Sequence, residues 1–245
     1  MNSNLNQGLA AKLRDGTAKS HSMAEGADFI KCFLQGVIDK PSYRKLAANF
    51  YFIYTALEAE LTRHKDSPIL SSLYTPELWR QKTLEQDLAY YYGADWRQQI
   101  QASEACKKYV KHIQEVSNNS PELLAAHAYT RYMGDLSGGQ ILKKIAKQAM
   151  GLKDGDGTAF YEFESIRNHG EFKKIYRAAL DTLPVNDATQ DRIVDEANFA
   201  FHLNMEMFQE LKGNWFITLC QMLWNWIVSR FQSTSTVPSS GSTAV

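Results

Sequence analysis

The sequence predicts an all-α protein built as one multi-helical domain, and three observations lead there. Apolar residues return at three- and four-residue spacing in segment after segment, extended β-branched alternation is absent, and several prolines and glycines fall at segment edges. The chain has 245 residues, of which 44% are hydrophobic and 22% charged, enough to bury a sizeable core. No internal repeat divides it.

The elements follow in order. A helix over 5–25 carries Leu9, Leu13 and Thr17 at helical spacing. Pro41 opens a helix over 41–64, where its fixed φ suits the first turn, with Tyr43, Phe50, Tyr54, Leu57 and Leu61 along it. Pro76 opens the next, over 76–92, and Gly93 closes it as a C-cap. Helices over 97–116 and 121–150 follow, the second introduced by Ser120-Pro121-Glu122. The loop GLKDGDGTAF leads to a helix over 169–181, then one over 187–212 with Asp187 as N-cap, and an aromatic helix over 214–231. Residues 1–231 form the domain, and the polar low-complexity stretch 232–245 reads as a flexible tail.

Composition removes several function classes. Lys plus Arg and Asp plus Glu are both 27, which argues against a nucleic-acid binder. Cys32, Cys106 and Cys220 stand far apart, neither a disulfide framework nor a thiolate metal site, as in a reducing cytoplasm. The N-terminus has no apolar signal core, and the apolar stretch WFITLCQMLWNWIV is shorter than the roughly 20 residues a membrane span needs. No histidine follows a glutamate at the spacing of a carboxylate-bridged di-iron bundle, and neither H-E-x-x-H nor a Walker A loop occurs. A helical protein without such sites borrows its chemistry from a cofactor.

The stretch YTRYMGDLSGGQILKKIAKQ, residues 129–148, holds Gly134, Gly138 and Gly139 in the middle of an amphipathic helix. Together they cost roughly 3 kcal/mol of helix stability relative to alanine. A face without Cβ atoms serves either close helix packing or a ligand lying on the backbone, and tandem glycines promote a kink. Arg131 and Asp135, four apart, form an expected ion pair beside the bare face, with Tyr129 adjacent. His21 and Glu25 share a helix face, either as a surface pair or as an oriented metal ligand. Lys173 and Arg177 share another, either solvated or suited to a ligand bearing carboxylates.

HAYTRYMGDLSGGQILKKIA, with TAKSHSMAE, YTALEAEL and LEQDLAYYYG upstream and FKKIYR and ANFAFHLNMEMFQEL downstream, resembles heme oxygenase over roughly residues 5–212. The likeness is to the soluble cyanobacterial and algal forms, without the hydrophobic membrane tail of the animal enzymes. It implies a heme-oxygenase-like bundle with heme between an N-terminal proximal helix and a kinked, glycine-rich distal helix. His21 matches the proximal iron ligand and Glu25 its partner. Gly134 and Gly138 match backbone close above the iron, and Gly139 a point of flexibility. Asp135 matches the carboxylate that organises distal water, with Tyr54 and Arg131 in its network. Lys173, Tyr129 and Arg177 match propionate-holding groups, and Phe201, Asn204 and Phe208 match pocket walls. Arg14 stands where the family usually has lysine, which keeps charge but alters geometry.

The resemblance further implies heme b as both substrate and cofactor, opened with O2 at the α-meso carbon to biliverdin IXα, carbon monoxide and Fe2+. Reduced ferredoxin is the implied electron donor, with Lys143, Lys144, Lys147, Lys173 and Lys174 as a docking face or an ordinary solvated one. A bilin reductase is the implied downstream partner, in a cyanobacterial cytoplasm or plastid stroma. Two other classes remain: a heme carrier or sensor, which needs His21 but not the distal arrangement, and a helical enzyme acting on thiamine-like substrates.

Overall fold

The computed structural model describes residues 7–153 and 155–211; the aromatic helix expected over 214–231 and the tail over 232–245 lie outside them. Eleven α-helices are formed among the described residues, and no strand. They are α1 (Leu9–Gly16), α2 (Ala18–Glu25), α3 (Asp28–Leu34), α4 (Lys40–Arg63), α5 (Gln81–Tyr92), α6 (Trp96–Gln99), α7 (Glu104–Asn119), α8 (Leu124–Ala128), α9 (Gly134–Met150), α10 (His169–Asp181) and α11 (Asp187–Glu210). α4 packs on α5 and α7, while α11 lies against α7, α8, α1 and α2. Leu13, Ile53, Tyr54, Leu57, Leu84, Ile113, Leu124, Ala197 and Leu203 are among the side chains that fill the core between them.

The N-terminal segment forms two helices rather than one. Thr17, buried between them, turns its hydroxyl back to donate to the Leu13 carbonyl at 2.7 Å. A threonine bonded to the carbonyl four residues earlier bends a helix. The bend sets the direction of α2, which carries His21.

The segment expected to be helical from Pro76 also divides. Pro76–Leu78 is a 3-10 turn, Trp79 is extended, and α5 begins at Gln81. Arg80 at the break is 3% exposed, and its guanidinium donates to the carbonyls of Leu78, Phe160 and Glu162. The orphan amides at the start of α5 are satisfied from another helix: Glu58 Oε1 on α4 accepts from Arg80 N at 2.5 Å and Gln81 N at 3.3 Å. A second buried carboxylate, Asp87, accepts from the amides of Ala159 and Phe160 at 2.7 and 2.8 Å, fastening the loop after α9 to α5.

Burial pushes Glu58 from its ordinary 4.5 up to about 7 and Asp87 from 3.8 up to about 6. A carboxyl raised on folding binds its proton more tightly in the native state. Its contribution is complete below the unfolded value and is lost as pH rises through the folded one. At about 1.4 kcal/mol per pKa unit, Glu58 alone accounts for up to about 3 kcal/mol between pH 4.5 and 7. Thermal melts across pH 5 to 8 should therefore show stability falling with pH, and Glu58→Gln should flatten that slope while keeping an acceptor for both amides. An unchanged slope in the variant would place the titrating group elsewhere.

Three smaller differences from expectation have local causes. The helix expected from residue 97 begins at Glu104, because Ser103 accepts from Cys106 N as its N-cap while its own amide donates to Asn49. The helix expected to be capped by Asp187 is capped by Asn186, whose side chain accepts from Thr189 N, and Asp187 is its first helical residue. α3 was not apparent from periodicity; its seven residues bury Phe29, Cys32 and Phe33.

Candidate active site

From α8 onward the chain is helical through Met150, but the turn Tyr129–Met133 is a wide π-turn between α8 and α9. The π-turn stands one turn before the tandem glycines, and Gly134, Gly138 and Gly139 keep α-helical hydrogen bonding. A π-turn is a frequent device at functional sites, because it shifts the faces on either side of it. Here it precedes a cavity of about 780 Å³ walled by α1–α2, the π-turn and α9, with Arg177 from α10 and Phe201 and Phe208 from α11.

His21 and Glu25 line the cavity on α2, with the imidazole Nδ1 3.7 Å from Glu25 Oε1. The imidazole ring also meets Phe201 edge-on, with centroids 5.8 Å apart. Along α9, Gly134 and Gly138 line the same space, and a Cβ at either would meet nothing within 4 Å. Gly139 is tighter, since a Cβ there would stand 3.3 Å from Tyr161 Cδ1. Substituting alanine at Gly134 or Gly138 should gain about 1 kcal/mol of helix propensity, a rise in Tm of roughly 2–4 °C. The same methyl should weaken hemin binding in a Soret titration. Stabilisation without that loss would show that the bare backbone serves no ligand.

Arg131 lies 7% exposed beneath the cavity, its guanidinium over the rings of Phe50 and Tyr54. Its Nε donates to the Tyr54 hydroxyl at 3.0 Å and its Nη1 to Asn204 Oδ1 at 2.5 Å. The Tyr54 hydroxyl in turn donates to Asp135 Oδ2. The expected direct pair of Arg131 with Asp135 is thus replaced by a relay, because α4 interposes its phenol and α11 draws the guanidinium toward Asn204. Burial raises the Asp135 carboxyl, opposed by the charge of Arg131, the Tyr54 hydrogen bond and Arg80.

At the rim, Arg14 and Arg177 flank Tyr129, whose hydroxyl is raised by burial and lowered by both cations and by a hydrogen bond with Thr17. Arg14 Nε also pairs with Asp15 at 2.7 Å. Imidazole on one wall, bare backbone on another, apolar sides and a cationic rim suit a flat macrocycle with acidic arms.

The heme oxygenase description matches the chain over residues 7–210. The chain belongs to the heme oxygenase family. It is 58% identical over 221 residues to heme oxygenase 1 of Nostoc sp. (strain PCC 7120), covering 90% of this chain and 93% of that one. The crystal structure of heme oxygenase-1 from Synechocystis sp. PCC6803 in complex with heme superposes with a TM-score of 0.87 at 56% identity, covering 90% of this chain and all of that one. Heme oxygenase-2 from the same organism, in complex with heme and NO, gives 0.82 at 50% identity over 84% and 85% of the two chains.

Within this heme oxygenase fold, twelve of the fifteen residues singled out from sequence line the one cavity. The other three stand behind or beside it: Tyr54 and Asn204 reach it through Arg131, and Lys173 donates to Ser137 Oγ at 3.3 Å. Sequence reasoning missed Phe50, Phe160 and Tyr161, which also line it. Phe50 carried a signal, one turn before Tyr54 on α4, that read as core alone. Phe160 and Tyr161 arrive from a loop and had no local signal.

Proposed function

We propose that the chain binds heme b in this cavity and opens it with O2 at the α-meso carbon, giving biliverdin IXα, carbon monoxide and Fe2+. The single observation that carries the reading is the Arg131–Tyr54–Asp135 relay beside a helix face without side chains, on the cavity that His21 also lines. A carrier or sensor would have no use for that relay. Bound heme supplies the redox-active iron and the porphyrin edge that is attacked.

The chain's own residues do the rest. His21 is the iron ligand, oriented by Glu25, and a neutral imidazole pushes less electron density onto iron than a thiolate does. Gly134 and Gly138 let the backbone approach the macrocycle, with Gly139 as the adjoining point of flexibility. Asp135, held by Tyr54, fixes a water and so a proton donor at the distal face. Arg14, Tyr129, Lys173 and Arg177 take the propionates and so set the in-plane rotation that selects the meso carbon. Phe201 and Phe208 complete the walls, while Asn204 secures Arg131.

Electrons are assigned to reduced ferredoxin, a small acidic donor, and the product to a downstream bilin reductase in a cyanobacterial cytoplasm or plastid stroma. Among the described residues no helix is long and apolar enough to cross a membrane. The basic docking face is narrower than its five lysines suggest, since Lys143 pairs with Glu162 and Lys174 with Glu171.

The test is turnover. Hemin, ferredoxin, its reductase and NADPH should yield the biliverdin band, and a Soret change without that band would reduce the protein to a carrier. Replacing Lys173 and Arg177 together by glutamate should spread the product over other meso isomers. Unaltered α-only product, read by chromatography, would count against the clamp.

A further inference from the structure

Behind the distal wall, three helices bring metal-ligating atoms to one point that the heme site does not use. His112 on α7, His127 on α8 and Glu196 on α11 each offer one ligand atom, all within 4.8 Å of one another. Glu196 Oε1 lies 2.5 Å from His112 Nε2 and 3.0 Å from His127 Nε2. The two rings stand 5.6 Å apart at 63°, directing both Nε2 atoms toward the same carboxylate oxygen. From this convergence we propose that His112, His127 and Glu196 form a binding site for a divalent transition-metal ion of the Zn2+ class.

The ligand set is the right one. Two imidazoles and a carboxylate are a common N/O donor set for zinc, and comparable sites leave further positions open to solvent. An ion would replace the Nε2 protons that His112 and His127 donate to Glu196. Although burial works the other way, hydrogen bonds from His112 and His127 hold the Glu196 carboxyl down at about 2. Burial lowers His127 and favours its neutral form, which a metal requires. His127 is 0% exposed, and its Nδ1 lies 3.4 Å from the Tyr109 hydroxyl. That hydroxyl either donates to or accepts from Nδ1, so the ring releases Nε2 to a metal without losing its partner. His112 is partly exposed and gives the ion a way in. The present separations are hydrogen-bond distances. A tetrahedral ion with bonds of about 2.0–2.1 Å spaces its ligands at about 3.3 Å, so Glu196 would draw back from each imidazole by less than about 1 Å, while the two imidazole nitrogens, within 4.8 Å of each other, would close toward that spacing.

The ion would tie α7, α8 and α11 together. Asn204, which acts to lower the Tyr109 hydroxyl, accepts from Arg131, so the site adjoins the distal relay without belonging to it.

The full chain, heme-free and with any affinity tag removed, should be titrated with Co2+ under visible absorption and with Zn2+ by calorimetry. Expected are one equivalent of each, d–d bands that Zn2+ displaces, and a rise in Tm with Zn2+. His112→Ala, at a partly exposed position that does not threaten folding, should weaken binding at least tenfold, as should Glu196→Gln. His202→Ala removes the surface pair with Glu206, and His21→Ala the pair with Glu25; neither should change the affinity. Failure to bind one equivalent, an unchanged affinity in His112→Ala, or its loss in His202→Ala or His21→Ala would each overturn the proposal. These readouts do not depend on heme turnover, so they stand or fall apart from the catalytic reading.

Discussion

Asp135→Ala is expected to bind hemin with near-normal affinity yet lose biliverdin formation by roughly 10²–10³-fold, the scale on which a single preorganised polar group matters in an active site. The carboxylate is held by the Tyr54 hydroxyl and faces the cavity that Gly134 and Gly138 leave open. Without it that wall loses the carboxylate proposed to fix a proton-delivering water, and heme should be consumed without giving the pigment. Stability changes in two opposing directions. Removing a carboxyl whose burial disfavours its charge helps the fold, while leaving the buried Tyr54 hydroxyl without its acceptor costs about 1–3 kcal/mol. Asp135→Asn keeps an acceptor for Tyr54 and separates the two effects. Biliverdin at the unmodified rate from a folded, hemin-loaded Asp135→Ala protein would remove this residue from the mechanism.

His21→Ala should abolish protein ligation of the iron and turnover with it, leaving melting behaviour almost unchanged. The side chain is more than half exposed, and its contacts are the 3.7 Å approach to Glu25 and the edge of Phe201. An exposed substitution of this kind shifts stability by within about 0.5 kcal/mol. Added imidazole should restore the ligated spectrum by occupying the vacated space. A wild-type ferric spectrum in the variant, with no imidazole present, would put the ligand at another histidine.

The fold class was legible because periodicity of apolar residues is a local signal, and α4, α10 and α11 emerged within a residue or two of their ends. The breaks were not, since their causes are tertiary. The start of α5 is decided by Glu58 from α4 and by the burial of Arg80, and neither is written near residue 80. DFIKCFL in α3 is too short to repeat a helical period twice. Asn186 and Asp187 are both able to cap, and the extended backbone at Asn186 decides between them. For the site, the residues on contiguous helical motifs were readable together. Phe160 and Tyr161 were not, because Asp87 delivers them from a distant loop. The Arg131–Asp135 expectation failed similarly: spacing along one helix says nothing of a phenol arriving from another.

The wide turn at Tyr129–Met133 has a consequence for how much insertion or deletion this helix tolerates. One surplus residue per turn swings everything downstream by about 100°. The phenol of Tyr129 and the guanidinium of Arg131 within it and the glycines after it therefore line the same cavity through a phase offset, not through a straight stripe. Excising any one residue between 129 and 133 would give a more regular, intrinsically steadier rod, whose two halves no longer look the same way.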